Sequence, residues 1–250
     1  MPLTDGPQAA AKAARAELER LLASRTFDLP SGFADAAERY VALLLEANRR
    51  LNLTRVVEPT AVARLHLLDA LAALPLIDGG DSGQRAVDLG SGGGVPGMVL
   101  ALARPDQSWL LVDSVRKKAD AMRGFAAALG IPNVEVRAER AEILGREAGH
   151  REAYGVVTAR ACAALPVLAE YALPLLAIGG RVVAWKGPLT DDELRAGAAA
   201  ARLCGGGAPS IHPSGFAELG DHRFVVVAKE APTAERYPRR PGEPGRRPLA

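Results

Sequence analysis

Arg85-Ala-Val-Asp-Leu-Gly90-Ser-Gly-Gly-Gly-Val-Pro-Gly97 is the stretch on which the reading of this chain turns. A short apolar run ends in a glycine cluster. Glycines directly after a buried strand let backbone N–H groups and the next helix N-terminus approach a ligand that side chains would fend off. Two spacings overlap here. From Gly92 the letters fit G-x-G-x-x-G through Gly94 and Gly97, a dinucleotide fingerprint; from Asp88 they fit D-x-G-x-G-x-G through Gly90, Gly92 and Gly94. The first detaches its leading glycine from the strand end and places Pro96 inside the fingerprint. The second meets the strand at Gly90 and uses the acid. It suits S-adenosylmethionine, which carries an ammonium and a sulfonium but no pyrophosphate, because a carboxylate near the loop attracts a cation and repels a phosphate. Asp88 is the candidate for that role, through water or through the loop backbone.

Downstream of the loop, strand and helix alternate. Residues 98–103 predict a helix, 108–112 (SWLLV) a strand, 116–129 a helix and 134–137 a strand. Strands at 154–158 and 181–185 flank a helix over 165–176, and FVVVAK at 224–229 is a last strand, explained by a hairpin on the sheet edge. Buried strands in this rhythm predict a doubly wound, mostly parallel sheet in the α/β class. Upstream the chain is helical. Residues 8–24 are rich in Ala, Leu, Glu and Arg. Ser31 is placed to cap a helix through about Arg50, with Phe33, Ala37, Tyr40, Val41, Leu44 and Leu45 on one face. A third helix over 59–74 carries His66 and Asp69 on one side. The chain thus divides into an N-terminal helical cap (1–80), a ligand-binding domain (84–230) and a C-terminal arm (231–250). The arm holds five prolines and little that is apolar, which predicts an extended, partly ordered segment.

The whole is 250 residues, enough for one large core. No apolar run approaches the roughly 20 residues of a membrane span, and the start has no basic-then-apolar leader, so the expectation is a cytoplasmic protein without a membrane partner. Cys162 and Cys204 lie far apart in no metal-ligand spacing, so no metal is implied and both read as reduced structural thiols. Net charge is only +2, too small to announce a polyanion partner. Its distribution says more: Arg49, Arg50, Arg55, Arg116, Lys117, Lys118 and Arg123, with Arg239, Arg240, Arg246 and Arg247 of the tail, are the candidates for one surface facing a polyanion. The alternative for each is a solvated face.

Strand ends supply the remaining candidates. Asp113 closes the second strand, where a carboxylate accepts ribose hydroxyls, in NAD as well as in S-adenosylmethionine. Glu142, beside Ala141 after the third strand, is placed to meet an adenine edge or else begins a solvent-exposed helix. Arg160 and Lys186 end the fourth and fifth strands, so both would project near the ligand crevice at the strand carboxyl ends. His66 and Asp69 read more readily as a structural hydrogen-bonded pair than as a catalytic dyad.

Five segments carry a resemblance to a known family: Asn48 with Asn52-Leu-Thr-Arg, His66-Leu-Leu-Asp69, Asp88 to Gly97, Thr158-Ala-Arg-Ala161 and Ala184-Trp-Lys-Gly187, with the tail Tyr237 to Leu249 as a sixth. Together, from about residue 15 to the end, they resemble the bacterial RsmG (GidB) family of 16S rRNA guanine-N7 methyltransferases. That resemblance implies a Rossmann-like class I methyltransferase with a seven-stranded sheet and an N-terminal helical extension. It implies cofactor contacts at Gly90, Val95, Ala141, Glu142 and Arg160, 16S rRNA or the assembling small ribosomal subunit as partner, and methylation of guanine N7 at position 527. Two positions depart from the family pattern: Thr158 stands where Ser is common, and the triple glycine at 92–94 replaces a middle Pro or Ala, which would loosen the loop. Guanine N7 bears an in-plane lone pair and no proton, so the expected reaction is direct attack on the sulfonium methyl without a general base, by alignment alone. Arg160, Lys186 and Asn52 are then the substrate-positioning candidates. Cys162 lacks the preceding proline of the cytosine-C5 enzymes, whose chemistry needs a thiolate. The rival readings are a methyltransferase of the same fold acting on a small molecule or protein, a NAD-type oxidoreductase, and a non-catalytic RNA-binding module.

Overall fold

The computed structural model describes residues 6–78 and 85–249, so the first five residues of the cap, the 79–84 junction and Ala250 lie outside the described residues. Helices α1 (Pro7–Leu22) and α2 (Phe33–Leu51) come first. A broken helical run follows: α3 (Pro59–Val62), a π-helical turn (Ala63–Leu68), α4 (Asp69–Leu71) and α5 (Leu74–Ile77). The alternating part consists of β1 (Ala86–Leu89), α6 (Gly97–Ala103), β2 (Trp109–Val112), α7 (Arg116–Leu129), β3 (Val134–Arg137), α8 (Ala141–Leu144), β4 (Tyr154–Arg160), α9 (Leu165–Ala172), β5 (Leu176–Lys186) and α10 (Asp191–Leu203). It closes with β6 (Ser210–Pro213), β7 (Arg223–Ala228) and the short α11 (Glu243–Arg246).

The strands form one seven-stranded sheet in the order β3-β2-β1-β4-β5-β7-β6. Strands β1 to β5 pair in parallel, and β7 pairs antiparallel to both β5 and β6, which is the edge hairpin that FVVVAK required. Because side chains alternate across a strand, each strand feeds two cores. Ala86, Trp109, Leu111, Val156, Val183 and Phe224 face one side, where they pack with α1, α2, the broken helix, α6 and α7. Val87, Leu89, Leu110, Val112, Val157, Val182 and Val225 face the other, against α9 and α10. The N-terminal helices therefore share a core with the sheet.

Four expectations need correction. Ser31 does not cap α2; Gly32, at φ +83°, occupies the N-cap and no side chain bonds there. The helix α10 went unread, although Thr190-Asp-Asp-Glu193 is a capping sequence and the Thr190 hydroxyl accepts the Glu193 N–H. The run Pro59–Ile77, at 19 residues and mean hydropathy 1.5, is long and apolar enough to cross a membrane, contrary to the sequence reading, yet 67% of it is buried inside the domain as a core helix. The C-terminal arm is docked against the domain. Tyr237, Pro238 and Pro244 are buried, Arg151 donates to the carbonyls of Thr233 and Tyr237, and Arg146 donates to those of Arg236 and Pro238. What holds the arm is mostly backbone carbonyls and ion pairs rather than apolar area.

Candidate active site

The chain order reverses between β1 and β4, so the crevice at the carboxyl ends of the central strands is where a doubly wound sheet binds ligands. Four segments meet there: the loop after β1, Asp113 after β2, the Ala141-Glu142 turn opening α8, and Arg160 at the end of β4.

The loop is built tightly. Gly90 N–H and Ser91 N–H both donate to the Val112 carbonyl, Gly94 N–H to Ser91 O, and the Ser91 hydroxyl to Asp88 O at 2.8 Å. Tyr40 of α2, fully buried, donates its hydroxyl to Gly93 O at 2.9 Å. A Cβ on Gly93 would stand 2.7 Å from Leu44 Cδ1, so the middle glycine is where α2 presses on the loop, and the triple glycine does not loosen it. Gly94 sits at φ +98°, which L side chains rarely adopt.

Asp88 lies beneath this loop, fully buried. Its Oδ1 accepts the Thr158 hydroxyl at 2.7 Å and its Oδ2 accepts Gly97 N–H at 3.2 Å. Burial pushes its pKa up to about 6, against the opposing pull of those donors. Of the two routes open to Asp88, this geometry provides the one through the loop backbone. A Cβ on Gly97 would meet Asp88 Oδ2 at 2.8 Å, which is why a glycine opens α6.

Asp113 is nearly buried; Oδ2 accepts Gly92 N–H at 2.9 Å and Oδ1 accepts Val115 N–H at 2.8 Å, leaving a lone pair on each oxygen for hydroxyl donors. Glu142 is 2% exposed, not a solvent-facing helix start. Its Oε1 accepts Arg140 Nη2 at 3.0 Å and Gly242 N–H at 2.7 Å. Cys162 lies against the loop, its Sγ 3.1 Å from where a Gly90 Cβ would be, and burial pushes its thiol up to about 11. It holds its proton at neutral pH.

Arg160 does not stand alone. Its Nη1 donates to Leu65 O at 2.6 Å and pairs with Asp69 Oδ2 at 3.4 Å, while Nη2 faces His66 Nδ1 at 3.4 Å. His66 Nε2 lies 2.8 Å from the Thr54 hydroxyl. Nδ1 also lies 3.1 Å from Leu65 O, so both ring nitrogens have polar partners. Burial first, and Arg160 second, lower His66 to about 4, so the ring is neutral. Asp69, 1% exposed, also pairs through Oδ1 with His222 at 3.0 Å, and its carbonyl accepts Trp185 Nε1 at 3.0 Å. His66 and Asp69 thus form a frame around Arg160 rather than a dyad. His222, on the turn of the edge hairpin, was not legible in sequence because its partner is 153 residues away.

Lys186 donates to Ala163 O at 2.9 Å and pairs with Glu193 at 2.8 Å. Asn52 is the left-handed C-cap of α2, at φ +49°, exposed; the neighbouring Asn48 instead accepts Thr54 N–H and holds the turn. Among the RNA-facing candidates, Arg55, Arg116, Lys117, Arg240 and Arg247 are exposed with no side-chain partner among the described residues, and Lys118, half-buried, has none either. Arg246 donates to Gly242 O. Arg49 and Arg50 share Glu46, and Arg123 pairs with Asp120. Arg239 is turned inward onto Glu170, which is fully buried. Among the described residues no group of three or more His, Cys, Asp or Glu is arranged to hold a metal ion.

A family model described as rRNA small subunit methyltransferase G matches residues 34–216. A Deinococcus radiodurans protein named ribosomal RNA small subunit methyltransferase G is 46% identical over 214 residues, covering 84% of this chain and 83% of that one. The chain belongs to this family. A Roseiflexus castenholzii protein of the same name is 41% identical over 234 residues, covering 93% of this chain and 99% of its own. Family membership makes the chain a methyltransferase. Among solved structures the fold resembles cofactor-bound Rv0187 from MTB (TM-score 0.52, 18% identity, 77% and 90% coverage) and a SAM-dependent O-methyltransferase from Thermotoga maritima (0.51, 14%, 77% and 73%). At such identities these show the fold.

Proposed function

We propose that this chain transfers the methyl group of S-adenosylmethionine to guanine N7 of 16S rRNA, at position 527, by direct attack without a general base. The observation that carries the reading is the crescent of the glycine loop, Asp113, Glu142 and Arg160 at the strand ends, in a chain whose relatives are named for methylating small-subunit rRNA.

The residues present fit the cofactor. Gly90, Gly92 and Gly94 at positive φ leave a cradle without side chains, Asp113 has lone pairs to spare for ribose hydroxyls, and Ala141 and Glu142, opening α8, would meet the adenine. Val95 packs at the loop exit and Asp88 holds the loop from below. Bound S-adenosylmethionine supplies an electrophilic methyl on a sulfonium. The protein's task is to align N7 with it and to keep water out. Arg160, fixed by Leu65 O and Asp69, serves as the positioning cation for guanine O6 or a phosphate, and Lys186 lines the next strand end. Asn52, exposed at the end of α2, is the third positioning candidate. Three side chains near the loop support a reading without a base: His66 is neutral with both ring nitrogens bonded, Cys162 is protonated and Asp88 is committed to the loop. Arg55, Arg116, Lys117, Lys118, Arg240 and Arg247, without side-chain partners among the described residues, provide charge for the RNA backbone.

The test is methyl transfer from labelled cofactor to small subunits and to rRNA lacking the modification, followed by N7-specific cleavage and primer extension. A stop at the expected guanine supports the reading. Label in free small molecules or protein but none in rRNA overturns it.

A further inference from the structure

The C-terminal arm reaches into the site through one hydrogen bond. Gly242 N–H donates to Glu142 Oε1 at 2.7 Å, and Arg140 Nη2 donates to the same oxygen at 3.0 Å. Both donors fall on Oε1. Oε2 has no hydrogen-bond partner among the described residues, so the carboxylate is oriented with one oxygen occupied and the other available. Arg140 alone would hold it less firmly, since its side chain is 45% exposed and an ion pair open to solvent contributes little.

Gly242 is held in place by a second device. Arg239, three residues earlier, donates through its backbone N–H, Nε and Nη2 to both oxygens of Glu170, at 2.6 to 3.1 Å, and Glu170 is fully buried on α9. Arg239 Nη2 also donates to Arg247 O, folding the end of the chain back over the pair. Pro238 packs on Gly145 just after α8, where a Cβ would lie 3.1 Å from Pro238 Cγ. A buried fork-to-carboxylate pair with this many bonds fixes geometry as well as charge, because releasing it strands Glu170 unpaired.

We infer that residues 239–249 are a strap that completes the cofactor site: the Arg239–Glu170 pair anchors it, and the Gly242 amide sets the Glu142 carboxylate so that Oε2 accepts a hydrogen bond from the adenosine moiety. Arg239, Glu170 and Gly242 are positioning residues that act through Glu142. The inference rests on the proposed cofactor role of Glu142. Its consequence is that the strap, whose Arg240 and Arg247 face outward without side-chain partners among the described residues, joins the RNA-facing surface to the nucleoside pocket.

The test uses a chain ending at Arg240, which keeps the anchor and removes the Gly242 amide, alone and combined with Glu142→Ala. S-adenosylhomocysteine is the probe, by calorimetry, with urea midpoints recorded in parallel. The shortened chain is expected to bind about tenfold more weakly, as for the loss of one hydrogen bond to a charged acceptor. On the Glu142→Ala background the shortening is expected to change nothing further, since the two act through one group. Unchanged affinity in the shortened chain, or a loss that adds in full to that of Glu142→Ala, overturns the strap. If Glu142→Ala itself binds as the parent does, the cofactor role of Glu142 fails, and the strap falls with it. Should the shortened chain not fold, Arg239→Lys in the full chain, which keeps a cation on Glu170 but loses the fork, is measured in the same way against the same outcomes.

Discussion

Thr158→Val removes one hydroxyl and leaves the shape of β4 intact, and its cost should depend on pH. The carboxylate of Asp88 is fully buried and its shortest bond is the one from Thr158, at 2.7 Å; Gly97 N–H is a longer donor at 3.2 Å. Burial raises Asp88 from 3.8 to about 6 in the folded chain. Two units correspond to about 3 kcal/mol between the protonation states. A raised acid pKa means that the folded state binds its proton more tightly than the unfolded chain. Stability from this group is therefore fully present below about pH 4 and is lost as pH rises through about 6. At pH 8 the Thr158 hydroxyl bonds a carboxylate, worth roughly 2 kcal/mol; at pH 5 the carboxyl is protonated and the bond is an ordinary one of about 1 kcal/mol. Urea unfolding of both proteins at the two pH values measures the difference. The expected result is a loss about twice as large at pH 8, with Thr158→Ser showing no such dependence. Equal losses at both pH values would refute the account of Asp88 as a buried carboxylate held by Thr158.

His66 predicts the opposite slope. Its folded pKa of about 4 lies below the ordinary 6.5, so its contribution is lost as pH falls from 6.5 toward 4, by up to roughly 3 kcal/mol. His66→Gln should therefore cost stability at pH 7.5 and progressively less toward pH 4.5; parallel stability curves would contradict it. Gly97→Ala drives a Cβ to 2.8 Å from Asp88 Oδ2 and should cost about 1 to 3 kcal/mol in urea midpoints while weakening S-adenosylhomocysteine binding. A normal affinity would show that the loop tolerates displacement. Replacing Arg116, Lys117 and Lys118 by Ala should lower the slope of log affinity against log salt by about 2 for single-stranded rRNA. An unchanged slope removes these three from the RNA surface.

What was legible in the sequence follows from what a local pattern can record. The central strands announce themselves as short apolar runs with both faces buried, as Ala86 to Leu89 and Trp109 to Val112 are, whereas the edge strand Ser210–Pro213, largely exposed, went unread. The loop announced its ligand class because glycines and an acid must sit at fixed distances along the chain. Long-range polar pairs leave no such record. Glu170 sits in an apolar helix and Arg239 in a proline-rich tail, and nothing within ten residues of either says that they meet at 2.6 Å in the interior. For Tyr40 a signal existed, since a buried phenol needs a partner for its hydroxyl; read only as part of an apolar face, it hid the bond to Gly93 O.

The tail shows why this matters for function. Counted by composition it is a set of arginines, all equally suited to RNA. Folded, the set divides: Arg239 is spent inward on a buried carboxylate, while Arg240 and Arg247 stay exposed with no side-chain partner among the described residues. The division has a cause. Glu170 is fully buried, and a buried carboxylate needs a cation with several donors, which the planar arginine fork supplies to both oxygens at once. Substitution should therefore separate the two kinds of arginine. Loss of Arg239 lowers stability at any salt concentration, because the pair is shielded from solvent, whereas loss of Arg240 or Arg247 changes RNA affinity in a salt-dependent way and leaves the urea midpoint where it was.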